Sequence, residues 1–598
     1  MADTIPKRFF DRAKTSPDAN AYLHKQGGVW KAATWREYAA EVAQAARALI
    51  ALGFEPGQRV CILGFNRPEW VVLDLAAMCA GGAPAGIYTT CSPDEVQYIV
   101  HHAEAPLVLV ENEAQWKKIE QKRSELPLLR YVVFMRGTKA PAASDGGPKL
   151  FSWEDFLARG SSVQEKEVHD RIAALEPAGL ATLIYTSGTT GPPKAVMLTH
   201  DNLAWTAKAL LDVTKTAPGG RGISYLPLSH IAEQQLTIHL PITGGSCTYF
   251  AESIDKLADN IKEVRPTLFF GVPRIWEKFH AAVSSKMAEA TGAKASIARW
   301  ARGVGARVSE LRSVGREPSG GLAMQYSLAN RLVFTPLKQA LGLDECATFV
   351  SGAAPIGRDV LSFFASLDLI VQEVYGQSED TGPTSFNLAG RTRIGSVGPV
   401  LAGVELKIAE DGEILVHGRN VFPGYLKDAA ATKDALTDDG WLRSGDLGRI
   451  DEDGYLHITG RKKEIIITAG GKNITPKNIE ELIKESPLVS EAVVIGDRRK
   501  FLTALVWLDP DRTKKWMQER GATGEPAVNG DVRAEIQRAI DAANTKLAKV
   551  EQVKKFAIGQ RPLGIDTGEL TPTLKVKRSK VAAAFAGQID AMYDGASE

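Results

Sequence analysis

Residues 185 to 199 read Tyr185-Thr-Ser-Gly-Thr-Thr-Gly-Pro-Pro-Lys-Ala-Val-Met-Leu-Thr199, and the reading of this stretch decides the fold. Four hydroxyls (Thr186, Ser187, Thr189, Thr190), two glycines (Gly188, Gly191) and Lys194 stand between the apolar runs Leu180–Tyr185 and Ala195–Leu198. The pattern predicts a strand, a short loop and a second strand. Glycine lets backbone N–H groups approach an anion, Ser and Thr add donors, and Lys supplies charge, so the loop is suited to gripping a polyphosphate. A Walker A loop is excluded, because Pro193 stands where its second glycine belongs and Ala195 follows the lysine. The plain alternative is a hairpin turn rich in small polar residues.

Outward from this stretch, helix and strand signals alternate. Thr34 and Glu37 have capping-box spacing at the start of a helical pattern that runs to Ile50. Gln58–Gly64, Ala83–Tyr88 and Pro106–Glu111 read as strands, with helices opening near Pro68 and after Ser92. Strands separated by helices predict parallel sheets wrapped on both faces, an α/β fold. A second alternating region includes the strand Thr267–Val272, residues 278–340 read as helical, and Leu367–Val371 reads as another strand. Gly137–Lys149 and Arg316–Gly321 read as surface loops. From about Gly395 short strands with Asp-Gly turns take over: Val404–Ile408 with Glu413–His417, and Gly448–Ile450 with Tyr455–Ile458. After Gly460 a smaller unit follows, with helices over Pro476–Glu485 and Val532–Lys549 and strands over Glu491–Gly496 and Leu502–Asp509. The expected domains are residues 1–459 and 460–598.

With 598 residues the chain exceeds a single core. Its 72 basic and 71 acidic residues leave a net charge of +1, which argues against nucleic acid as a partner. Five scattered cysteines without Cys-x-x-Cys spacing argue against structural zinc and a disulfide framework. No signal-peptide run opens the chain. The apolar stretch Trp70–Gly86 carries Asp74 and Pro84 and reads as a buried helix and turn. A cytoplasmic location is expected, with peripheral membrane contact and oligomeric state open.

Val374-Tyr-Gly-Gln-Ser-Glu-Asp380 suits a nucleotide site: the Tyr375 ring to stack on a base, the Ser378 hydroxyl to meet a phosphate, and Glu379 to hold Mg²⁺. In Ser351-Gly-Ala-Ala-Pro355 the small residues Gly352, Ala353 and Ala354 let backbone lie flat on an adenine. A tight strand-to-helix turn is the alternative there.

The phosphate-type loop resembles that of the adenylate-forming superfamily of acyl-CoA synthetases, luciferases and peptide-synthetase adenylation domains. Other motifs extend the resemblance from Thr34 to Lys580. Gly440-Trp-Leu-Arg-Ser-Gly-Asp446 is similar to the family's ribose-binding element, and Thr459-Gly-Arg-Lys-Lys-Glu464 with Pro476-Lys-Asn-Ile-Glu480 to its hinge. Glu569-Leu-Thr-Pro-Thr-Leu-Lys575 is similar to the segment bearing the adenylation lysine, with Leu574 where glycine is commoner and Lys577 as a rival. Tyr225-Leu-Pro-Leu-Ser-His230 looks like a wall of the acyl pocket. The set most resembles long-chain and bubblegum-type acyl-CoA synthetases.

The resemblance implies a large N-terminal lobe of two wrapped sheets and a small β-barrel, hinged to a small α+β C-terminal domain. It implies ATP, Mg²⁺ and CoA, with a fatty acid activated as acyl-AMP and passed to the CoA thiol. It assigns Lys194 and the loop hydroxyls to the β- and γ-phosphates, and Glu379 with Thr186 to the metal. Tyr375, Gly376 and Ser378 fall to the base and phosphate, Asp446 to the ribose and Arg461 to the nucleotide. Lys463 becomes the pivot, Lys575 the catalytic lysine, and His230 with Gly376 the acyl side. An aryl-acid ligase, a carrier-protein loading enzyme and a catalytically silent relative are the alternatives.

Overall fold

The computed structural model describes residues 3–141, 146–186, 192–469, 472–565, 567–571 and 575–594. Two compact units divide the chain. The larger comprises residues 1–407, 415–443 and 452–456, and the smaller 408–414, 444–451 and 457–598.

The larger unit is built on an eight-stranded sheet. Its order is Gly424–Tyr425, Lys194–Thr199, Leu180–Thr186, Ala83–Ile87, Arg59–Leu63, Leu107–Val110, Tyr131–Phe134 and Lys149–Ser152. From Leu180–Thr186 onward the neighbours are parallel, and Lys194–Thr199 returns antiparallel with Thr186 opposite Lys194. The two flanking strands thus stand as the sequence predicts.

Helices pack on this sheet with the patterning read above. The Thr34–Glu37 capping box opens the helix Trp35–Ala51, and Ser92 with Glu95 opens Pro93–His102. Every residue of the helix Pro68–Cys79 is buried, as expected of a helix without a polar face. Its Asp74 has no hydrogen-bond partner on either carboxylate oxygen among the described residues; burial holds the carboxyl well above its usual range.

A second sheet runs Leu268–Gly271, Thr348–Ser351, Val371–Tyr375 and Ser385–Phe386, the first three parallel and the last antiparallel. A third joins Arg221–Ser224, Cys247–Phe250, Asn20–Gln26 and Val29–Thr34.

The run Leu367–Val371, read as a strand, is corrected here: the strand is Val371–Tyr375. Leu367 and Leu369 instead close the end of the helix Arg358–Ala365, each donating its N–H to the Phe364 carbonyl. Asp368 between them takes a left-handed φ of 63°, and its carboxylate accepts from Arg312, Tyr326 and Lys338. Apolar residues are buried there as a helix-ending plug, which hydropathy alone cannot separate from a strand. The strand expected at Gly448–Ile450 begins earlier, at Leu442, and so carries Asp446 within it. The loop expected to Gly321 gives way to a helix at Gly320.

In the smaller unit a three-stranded sheet, Val489–Ile495, Leu502–Leu508 and Val553–Ile558, is covered by the helices Pro476–Lys484 and Gly530–Thr545. The buried bidentate pair Arg578–Glu480, at 2.6 and 3.0 Å, ties the segment after Lys575 to this core.

Candidate active site

In the larger unit the loop residues Ser187, Gly188, Thr189, Thr190 and Gly191 lie outside the described residues. Their two flanks are placed. Thr186 ends one strand and Lys194 begins the next, with the Thr186 hydroxyl donating to the Lys194 carbonyl at 3.4 Å. The Lys194 ammonium stands 4.9 Å from the centre of the Tyr425 ring, and the Tyr425 hydroxyl donates to Glu379 Oε1 at 2.8 Å. A lysine, an aromatic ring and a carboxylate from three distant segments therefore form one chain of contacts.

Tyr425 was not singled out in the sequence, because its strand is only two residues long. The signal available was its position after the glycine of Pro423-Gly424. Glu379 Oε2 carries no hydrogen bond among the described residues. A carboxylate that accepts from Tyr425 through one oxygen and leaves the other open fits a hard divalent cation that also takes phosphate oxygens.

The segment bearing Tyr375, Gly376, Ser378 and Glu379 is held by Asp380. Its fully buried carboxylate accepts from the Gln377 N–H at 2.7 Å and the Thr384 hydroxyl at 2.6 Å. Only glycine fits at 376, since a Cβ there would stand 1.5 Å from the Gly382 carbonyl oxygen. Gly352 is similarly confined, its Cβ position lying 2.5 Å from Val374 Cγ1, and Ala353 is forced to a φ of 66°. Ser351 and Glu373 pair in parallel. The Gly352–Ala354 turn and Tyr375 thus leave the carboxyl ends of adjacent parallel strands, where ligands bind in open α/β sheets.

His230 caps the short helix Ile231–Gln234, its Nδ1 accepting the Ala232 N–H at 3.2 Å. That nitrogen is therefore occupied as an acceptor and is not open as a base. The strand Ala83–Ile87 and the segment before His230 meet closely: a Cβ on Gly86 would stand 2.7 Å from Ser229 Cα.

Three residues after His230 stands Glu233, which the sequence reading passed over although an acid inside a mostly apolar helical run was a signal. Its fully buried carboxylate accepts from Ser224 and Thr237 hydroxyls at 2.8 Å each and from the Tyr225 N–H at 3.1 Å. Burial pushes its pKa up to about 7 against the pull of these donors. Glu233→Ala would strip the partner from several buried donors at once, each worth about 1–3 kcal/mol when orphaned. The expected result is a melting temperature several degrees lower, read by thermal denaturation. An unchanged melting curve would contradict the anchoring role.

In the smaller unit Asp446 is buried and accepts from Arg461 Nε at 2.9 Å. Lys462 pairs with Asp411 at 2.6 Å and Glu413 at 2.8 Å, whereas Lys463 is exposed and makes no hydrogen bond or ion pair among the described residues. Lys575 is fixed by its backbone: its N–H donates to the Thr571 hydroxyl at 2.9 Å and its carbonyl accepts the Thr571 N–H at 2.8 Å. Leu574 lies outside the described residues. Glu569, whose carboxyl Arg561 holds down at about 2, anchors the same segment.

The Lys575 pKa is lowered to about 8 by desolvation, then by the positive charges of Arg461 and Lys477, with Asp446 and Glu464 opposing. By residue surface Lys575 is exposed, so the neighbouring cations are the firmer cause. Lys575, Arg461 and Asp446 thereby share one electrostatic environment.

The chain belongs to the AMP-binding enzymes: the family's main sequence model matches residues 9–426 and that of its C-terminal domain residues 463–597. It is 39% identical to the long-chain-fatty-acid–CoA ligase ACSBG2 of Xenopus laevis, over 99% of this chain and 84% of that protein. With the long-chain-fatty-acid–CoA ligase FadD15 of Mycobacterium bovis the identity is 36%, over 99% and 97%. The fold is similar to that of the anthranilate CoA ligase AuaEII in complex with anthranoyl-AMP (TM-score 0.72, 19% identity, 99% of this chain and 98% of that one). It is likewise similar to that of ATP-bound MatB from Rhodopseudomonas palustris (TM-score 0.69, 24% identity, 98% and 99%).

Proposed function

We propose that this chain is an ATP-dependent long-chain fatty acid–CoA ligase. The observation that carries the reading is the contact chain Lys194–Tyr425–Glu379, which starts at the strand end following the hydroxyl-rich stretch of sequence. Full-length identity to long-chain ligases supports the choice of substrate.

In the first step a carboxylate oxygen of the acid bonds to the α-phosphorus of ATP while the bond to the bridging oxygen breaks, releasing pyrophosphate and leaving acyl-AMP. Lys194 and the loop hydroxyls hold the β- and γ-phosphates. Tyr375 takes the base and Asp446 the ribose. Glu379 with Thr186 would hold Mg²⁺, which would supply charge neutralisation at the phosphates. Lys575 supplies positive charge where the attacking and leaving oxygens accumulate negative charge.

In the second step the CoA sulfur bonds to the acyl carbon and AMP departs with the oxygen that had joined them. Movement of residues 460–598 about Lys463 separates the two steps. We place the enzyme in the cytoplasm with access to lipid.

The test is pyrophosphate release across acids from short to very long chain, with and without CoA. Release that requires a long-chain acid, with AMP and acyl-CoA as the further products when CoA is present, is the expected result. Release driven by aryl acids alone, or none with any acid, would overturn the reading.

A further inference from the structure

The helix Gly320–Ala329 continues through a π turn, Asn330–Phe334. Its inward positions Leu322, Tyr326 and Val333 pack on the core with Ala329 and Phe334. On a surface helix the opposite face is ordinarily polar. Here it carries Met324, Leu328 and Leu332, exposed by 76%, 50% and 50%, a stripe at four-residue spacing. Gly320–Ala329 contains no charged residue at all and buries only Ala329. A stripe of this kind on an otherwise well-packed molecule marks a contact surface.

Charge says what contacts it. Between residues 292 and 340 stand eight basic side chains against two acidic, in a chain whose net charge is +1, and only Arg312 and Lys338 of the eight are paired with Asp368. Lys294, Arg299, Arg316 and Arg331 are exposed and form no ion pair among the described residues. Arg331 directly precedes Leu332, and Arg307 donates to Gln325 at 2.8 Å, beside Met324. A second copy of the chain would bring the same basic face against itself. An anionic surface would be drawn to it.

We propose that the outer face of Gly320–Phe334 docks on an anionic lipid bilayer. Met324, Leu328 and Leu332 enter the headgroup boundary, while Arg331, Arg307 and their neighbours meet lipid phosphates. The choice of a bilayer over an acidic protein rests on the reading of the substrate as a long-chain acid, which partitions into membranes. Docking there places the enzyme at its substrate's reservoir.

The full-length protein is to be sedimented with vesicles of phosphatidylcholine alone and of phosphatidylcholine with about one-third phosphatidylserine, at low and at high salt. Binding at least tenfold stronger to the anionic vesicles, weakened by salt, is expected. The triple variant Met324→Ser, Leu328→Ser, Leu332→Ser and, separately, Arg331→Glu should each lose most of that binding. Their pyrophosphate release with acid presented in solution should remain within about twofold of the parent.

Equal binding to both vesicle types, or full binding by the triple variant, would overturn the proposal. So would a concentration-dependent dimer that the triple variant abolishes, which would assign the face to a second copy. Failure of pyrophosphate release by the parent protein would instead strike the ligase reading, so the two failures are separable.

Discussion

Lys575→Ala should abolish acyl-AMP formation, by about 100- to 1,000-fold, the effect of removing one charge-stabilising donor from a transition state. Thioester formation from supplied acyl-AMP should stay within a few-fold of the parent. The asymmetry follows from the two bond changes. The first brings a carboxylate to a phosphate and piles charge on the pentavalent centre, whereas the second expels AMP from an already activated acyl group and needs no second cation. If Lys577 were the working group, Lys577→Ala would give this pattern instead.

The same lysine sets a pH limit. With its pKa lowered to about 8, the ammonium is populated below that value and lost as the pH rises through it. In the free enzyme kcat/KM for adenylation should therefore fall about tenfold per pH unit above about 8. The bound nucleotide is anionic and favours the ammonium, so the fall in kcat should come at higher pH. A flat profile from pH 7 to 10 would contradict the need for a protonated lysine.

Lys463→Pro should show the opposite split: acyl-AMP still forms, and its transfer to CoA drops by about two orders of magnitude. Lys463 sits in the 3-10 turn Lys462–Glu464, exposed, while its neighbour Lys462 is tied to Asp411 and Glu413. A residue without such ties is free to change φ and ψ, and proline fixes φ near −65° and removes the N–H. Normal overall turnover in this variant would reject the pivot.

Much of the fold was legible because its signals are local. Thr34 with Glu37 and Ser92 with Glu95 carry their own caps, and the apolar runs flanking Thr186 and Lys194 fix a strand pair. Leu367–Val371 misled because a plug at a helix end and a buried strand have the same hydropathy. At the site, glycines 352 and 376 were legible as small residues, but the reason only glycine fits at 376 is the carbonyl of Gly382, six residues away. Tyr425 and Glu233 were missed for a shared cause. Each acts through a partner on another element, Glu379 at 46 residues from Tyr425 and Ser224 at nine residues from Glu233, and such pairings exist only once the strands are in place.

In the proposed reaction the acid's own oxygen captures AMP. A long-chain acid labelled with ¹⁸O in both carboxylate oxygens, turned over with ATP and CoA, tests it directly. One labelled oxygen should appear in the AMP phosphate and none in pyrophosphate. Label in inorganic phosphate with ADP as product, or AMP without label, would contradict it.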